Sequence, residues 1–138
     1  MNDRIIFELS KAENKIKNYL QKKIKAKGIQ ISAGQSGVLF LLEKTNSLKM
    51  SELSRLLKID NSAITRVVDR LEKNGLVTRE PNPDDRRQYL ISITEKGKRD
   101  IGVVGRIANE ANAAIQEGFS DEEIDVFLRV LNSFGDKF

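Results

Sequence analysis

Cysteine and histidine are both absent from this 138-residue chain. The first absence excludes disulfides, thiolate metal sites and thiol-based redox sensing. The second removes the commonest metal ligand and the commonest general base at neutral pH. No cofactor or metal is therefore expected. The Asp and Glu residues fall on helix faces that suit ion pairing, with no partner for acid–base chemistry, so the chain does not read as an enzyme. Long apolar runs are missing too: none approaches the roughly 18 residues that cross a bilayer, and the first residues lack the apolar core of a signal peptide. The expected location is the cytoplasm, with no membrane partner.

What is present is a charge imbalance along the chain. Residues 1–48 carry nine Lys/Arg against four Asp/Glu, a net +5. Residues 49–99 carry twelve against eight, +4, and residues 100–138 three against eight, −5. A basic front and an acidic tail suggest that a polyanion-facing surface is segregated from a second surface.

Apolar periodicity and capping signals divide the chain into helices and two short strands. Ile5, Leu9, Ala12, Ile16, Leu20 and Ile24 recur at three- and four-residue steps, predicting a helix over about 3–27 that Gly28 ends in a left-handed cap. Ser32 with Gln35 is a capping box for a second helix through about Leu42. An extended Ser47-Leu48-Lys49 leads to a helix from Met50 to Leu57, and Asp60 caps another from Asn61 to about Asn74, stopped by Gly75. Strands are expected at Val77 to Glu80 and at Gln88 to Ile93. Thr94 caps a helix to about Glu117; Ser120 and Glu123 form a second capping box, with Phe119 and Ile124 as its hydrophobic staple. The last helix carries Ile124, Phe127, Leu128, Leu131 and Phe134. The apolar stripes of the terminal helices are too regular to leave in water, which predicts an intertwined homodimer.

Two adjacent features in the middle carry chemistry. Between Met50 and Asn74 two helices are joined by the turn Lys58-Ile59-Asp60. The second buries Ile64, Val67, Val68 and Leu71, leaving Asn61, Ser62, Thr65, Arg66, Asp69, Arg70 and Lys73 outside. Short polar residues allow close approach to a major groove, and arginine can bond guanine through two donors. The blander reading is a solvated face with Asp69 and Lys73 as an i,i+4 pair. The loop Pro81-Asn82-Pro83-Asp84-Asp85-Arg86-Arg87, which holds both prolines of the chain, is stiffened by them. At seven residues it exceeds the usual hairpin loop. Two adjacent arginines repel there, and Asp84 or Asp85 can orient one guanidinium toward a narrow, electronegative minor groove.

At these residues the chain resembles the MarR family of winged-helix transcription factors. The match runs through Leu53-Ser54-Arg55-Leu56-Leu57 and Ser62 to Val77, then Arg79, Pro83-Asp84-Asp85-Arg86-Arg87 and Ile93-Thr94-Glu95-Lys96-Gly97. The resemblance implies a mainly α fold with a small β-hairpin wing: an N-terminal dimerisation helix (1–30), a winged helix-turn-helix domain (31–98) and C-terminal dimerisation helices (99–138). It also implies a homodimeric regulator, most often a repressor, on a pseudo-palindromic site in double-stranded DNA. Asn61, Ser62, Thr65, Arg66 and Arg70 would lie against bases and phosphates. Arg86 would enter the minor groove, with Asp84 orienting it and Arg87 nearby. Lys49, Arg55, Lys73 and Arg79 are further candidates for phosphate contacts. Relatives are often released by a small organic effector bound between the DNA-binding lobe and the dimerisation helices. Gly34 and Ser36 stand where proline and an aromatic residue are common, and Gly37 adds a further flexible point near the usual effector pocket, so the effector class does not carry over. A non-specific architectural DNA binder and a winged-helix protein-interaction module are the alternatives.

Overall fold

Local signals place most element boundaries. The computed structural model describes residues 2–138. Its helices and strands run α1 (Ile5–Ala26), α2 (Ala33–Thr45), β1 (Ser47–Lys49), α3 (Met50–Leu57), α4 (Asn61–Lys73), β2 (Val77–Asn82), β3 (Asp85–Ile93), α5 (Glu95–Gln116), α6 (Asp121–Asn132) and α7 (Phe134–Lys137). Ser32 and Gln35 exchange both bonds of a capping box, as do Ser120 and Glu123. Asp60 Oδ1 accepts from the Ala63 N–H at 2.8 Å, and Thr94 Oγ1 from that of Gly97 at 3.0 Å. Gly28, Gly75 and Gly118 all adopt the positive φ expected of helix stops.

Three boundaries differ from the sequence expectation. α2 continues three residues past Leu42, because Asn46, at φ 65°, supplies the left-handed terminus and donates its N–H to the Leu42 carbonyl. Asparagine tolerates this conformation better than most residues. The last helix breaks at Ser133, whose hydroxyl turns back to the Val130 carbonyl, so Phe134 belongs to a separate short turn. The hairpin strands are longer than predicted, and Ser47-Leu48-Lys49 joins them as a third strand, in the order β1-β3-β2.

The core lies in the middle of the chain. Val38, Leu39 and Leu42 of α2, Leu53 of α3, Ile64, Val68 and Leu71 of α4, Leu76, Val77 and Ile91 of the hairpin, and Ile101 of α5 are almost fully buried in one cluster. Burying a side chain of this size contributes about 1.5–3 kcal/mol each, so the cluster fixes α4 and the hairpin on one base. α1 packs along α5, with Leu9, Leu20 and Ile24 half-buried. Neither α1 nor α6 has a single buried residue.

α5 starts in tight contact with the end of α4. A Cβ added at Gly97 would lie 2.3 Å from the Leu76 carbonyl oxygen and 2.8 Å from Ile93 Cγ1. At Gly34, in the first turn of α2, nothing lies within 4 Å of such a Cβ. Gly97→Ala is therefore expected to destabilise the fold by about 3 kcal/mol, whereas Gly34→Ala should gain about 0.5–1 kcal/mol. Urea unfolding at one fixed protein concentration checks both, and equal effects at the two positions would contradict this packing.

Candidate nucleic-acid interface

The α3–α4 pair is locked by its connecting turn. Lys58 adopts left-handed φ 52°, and the Ile59 N–H returns to the Ser54 carbonyl at 3.1 Å while Ser54 Oγ donates to the Ile59 carbonyl at 2.5 Å. α4 then presents its N-terminal turn outward. Asn61 and Ser62 are exposed, and so are Arg66, Arg70 and Lys73 further along the helix. Thr65 is half-buried, and its hydroxyl donates to the Asn61 carbonyl at 2.7 Å. It therefore offers its methyl group and oxygen lone pairs, not its proton. Among the described residues, neither Arg66 nor Arg70 pairs with a carboxylate.

The hairpin next to α4 is built differently from the expected seven-residue loop. β2 and β3 pair up to Asn82 and Asp85, which leaves only Pro83 and Asp84 at the turn. Pro81 is accommodated because β2 is an edge strand. The register shifts between Pro81, opposite Tyr89, and Asn82, opposite Asp85. Arg86, Arg87 and Gln88 thus form a bulge on β3. Bulges re-aim side chains, and here they push two guanidinium groups out at the end of the hairpin. Asn82, only 4% exposed, accepts the Asp84 N–H on Oδ1 at 3.0 Å and tightens the turn. The sequence reading missed Asn82, although an Asn-Pro-Asp step is a readable Asx-turn signal.

The carboxylate that meets an arginine at the tip is Asp85, not Asp84. Asp85 Oδ1 accepts from Nε of Arg87 at 3.3 Å and from its backbone N–H at 3.0 Å. Asp84, at the turn itself, has its backbone tied to Asn82 and makes no ion pair among the described residues. Its expected role in orienting Arg86 is not what the geometry gives. Arg86 is exposed at the tip and likewise without a carboxylate partner among the described residues.

Of the outlying candidates, Arg55 is exposed on α3 and Lys49 is half-buried at its start, its backbone N–H bonded to Glu52. Arg79 is already paired within the protein. Its side chain is 19% exposed, its Nη2 donates to Asp69 Oδ1, and its guanidinium carbon lies 5.6 Å from the Tyr89 ring centroid. The i,i+4 pairing of Asp69 with Lys73 is accordingly not formed. Asp69 bonds across to β2 because Arg79, opposite Ile91 in register, projects from the hairpin face that packs on α4.

A groove of about 650 Å³ lies where α1, the start of α2 and the end of α4 come together. Gln21, Ile24 and Lys25 of α1, the Gly28–Ser32 connection, Gln35 of α2 and Asn74 at the end of α4 line it. No helix is long and apolar enough to cross a membrane among the described residues.

Comparison with known proteins agrees with this architecture. Residues 31–89 match the MarR family. The chain is 30% identical to the HTH-type transcriptional regulator MhqR of Bacillus subtilis, across 96% of this chain and 90% of the relative. It is 29% identical to the HTH-type transcriptional repressor YetL of the same organism, across 96% and 76%. Among solved structures, a probable transcriptional regulator from Pseudomonas aeruginosa superposes with TM-score 0.80 at 28% identity, covering 96% of this chain and 97% of that one. A mutant MarR from E. coli complexed with operator DNA has the same fold, with TM-score 0.80 at 22% identity over 96% and 94%. With a helix-turn-helix, a bulged arginine hairpin and relatives matched nearly end to end, the chain belongs to the MarR family of winged-helix transcriptional regulators.

Proposed function

We propose that the protein is a sequence-specific repressor that binds a pseudo-palindromic operator as a homodimer, with one α4 in each of two major grooves. The observation that carries this reading is the pairing pattern of the cations. Arg66 and Arg70, about one turn apart on α4, and Arg86 at the hairpin tip all stand exposed without carboxylate partners among the described residues. Exposed guanidinium groups with no counter-charge of their own favour a polyanion as partner. Asn61, Ser62 and Thr65 fit base edges near the helix N-terminus, with Arg66 and Arg70 on bases or phosphates. Arg86 fits a minor groove beside the major-groove contact, with Arg87 close by, held by Asp85. Lys49, Arg55 and Lys73 are placed to meet phosphates; Asp84 serves to shape the turn. The relatives named above are regulators, which points away from catalysis.

The dimer follows from apolar surface that one chain leaves open. Ile5, Ile6 and Phe7 are 53%, 82% and 64% exposed at the start of α1; Phe119 is 62% exposed, and Phe127, Leu128 and Val130 of α6 each lie near 50%. Surface on this scale marks a contact. Ile115, Phe119, Ile124 and Phe127 line an apolar groove of about 360 Å³ that a second copy's helix would fill. The basic α1 and the acidic run Asp121, Glu122, Glu123 on α6 are complementary.

We further assign release to a small organic molecule in the groove between α1, α2 and Asn74. Its mixed lining of isoleucines with Gln21, Lys25 and Gln35 suits an apolar body with an acidic or hydrogen-bonding group.

In-vitro selection from a random duplex library is expected to enrich an inverted repeat whose half-sites lie about one helical turn, roughly 10 base pairs, apart. No enriched motif would favour an architectural DNA binder, and no binding at low salt a protein-interaction module. On the selected site, Arg86→Ala should weaken binding by about 1–3 kcal/mol and reduce the salt slope by about one unit per half-site. Unchanged affinity across salt concentrations would remove Arg86 from the interface. Phe127→Glu should shift the chain to monomer at about 10 μM in sedimentation, since it loses roughly 2 kcal/mol of apolar burial per copy and buries a charge, and operator binding should fall with it.

A further inference from the structure

Arg79 and Asp69 link the two parts that read DNA. The hydrophobic base common to α4 and the hairpin ends at Val77 and Ile91, beyond which β2 and β3 run outward as a two-stranded ribbon. Apolar contact is non-directional and leaves the ribbon's tilt relative to α4 weakly determined. At that point Arg79 leaves β2, bonds Asp69 on α4, and lies against the Tyr89 ring of β3. One planar guanidinium thus touches all three elements. Its Nε is shut off from solvent and has no hydrogen-bond partner, an arrangement that costs stability and that a side chain serving only as a surface ion pair would not adopt.

We propose that Arg79 is a positioning residue. It sets the angle between the recognition helix and the wing, so that Arg66 and Arg70 reach the major groove while Arg86 reaches the minor groove of the same duplex. This rests on the DNA-reading function proposed above. The pairing also gives a carboxylate its counter-charge: Asp69 is next to Arg70 on the exposed part of α4, with its side chain 56% exposed, where an unpaired negative charge would repel phosphates.

The two roles open to Arg79 predict opposite results at Asp69. If Arg79 contacted phosphate, Asp69→Ala would free it and remove a repulsive charge, so binding would tighten. If it is a strut, Asp69→Ala breaks the joint and operator binding weakens despite the more favourable charge.

The test uses the full chain with Asp69→Ala, Arg79→Ala, the double variant, and Arg79→Lys, which keeps the charge but lacks the planar fork. Amide hydrogen exchange of residues 79–90 in the DNA-free protein should quicken about tenfold in each single variant and no further in the double. Affinity for the selected operator should fall about tenfold in each single variant, without additional loss in the double, and Arg79→Lys should show most of that loss. Random-duplex binding by Asp69→Ala should be unchanged or tighter. Unaltered exchange, additive losses, or an Asp69→Ala variant that binds operator more tightly would each overturn the proposal. A wild-type chain that selects no operator would instead count against the regulator reading, and the exchange measurement would still decide whether the strut exists.

Discussion

The close approach at the junction of α4 and α5 is the constraint on which the reading head depends. The N–H groups of Asn74, Gly75 and Leu76 close the last turn of α4 on the carbonyls of Arg70, Glu72 and Leu71, and the carbonyls of those same three residues are in turn held by the start of α5. Lys96 Nζ donates to the Asn74 carbonyl at 2.8 Å, Thr94 Oγ1 to that of Gly75 at 2.7 Å, and the Thr94 N–H to that of Leu76 at 3.1 Å. The same Thr94 hydroxyl accepts from the Gly97 N–H to start α5. One threonine therefore ties down the segment that follows α4 and begins α5. The geometry leaves no room for a side chain at Gly97, where the backbone of α5 lies against the Leu76 carbonyl. Lysine at the C-terminal end of α4 is also favoured by the helix dipole. These bonds fix where α4 points relative to α5, and the hydrophobic cluster beneath supplies the energy that keeps them in place.

The ion pairs contribute little to stability and much to direction. Exposed pairs are worth about 0–1 kcal/mol, so Asp85 with Arg87, 91% exposed on the arginine side, does not hold the hairpin together. It does pair one of two adjacent guanidinium groups, and it leaves Arg86 without a carboxylate partner among the described residues. Pairing and freedom are thus divided among the arginines according to place: Arg79 is held at the root of the wing, Arg87 is tethered in the bulge, and Arg66, Arg70 and Arg86 face solvent. A net charge of +4 conceals this arrangement.

What could be read from the sequence was local. Each cap whose chemistry spans three residues, at Ser32, Asp60, Thr94 and Ser120, is where the amino-acid order places it, because a hydroxyl or carboxylate there has nearby N–H groups to satisfy. Pairing across the chain was not legible. Asp69 has Lys73 one turn away and takes Arg79 instead, since only folding brings β2 against α4. The length of the hairpin was hidden for a related reason: Pro81 and Pro83 read as a stiffened loop, but an edge strand does not need every N–H, so pairing continues to Asn82. Asp84 and Asp85 were indistinguishable by composition, and the bulge separates them, giving the first to the turn and the second to Arg87. The exposed stripes on α1 and α6 were legible as apolar faces in want of cover, and α1 meets part of that need by packing on α5.

The remaining link is from the interface to the reading head, and α5 supplies it. Its 22 residues run unbroken from Glu95, at the α4 junction, to Gln116, beside the exposed apolar groove. At 1.5 Å per residue the helix is about 33 Å long. A tilt of about 5° at one end therefore displaces the other by about 3 Å, close to one base-pair step of duplex DNA. In the proposed dimer, small changes in how the terminal helices pack translate into a mismatch between two α4 helices and two successive major grooves. The groove assigned to an effector is well placed to make such a change. Asn74 forms part of its wall and also carries the carbonyl held by Lys96, while Gln21, Ile24 and Lys25 on the opposite wall belong to α1. A molecule seated there would touch α1 and the end of α4 at once, close to the junction where α5 begins.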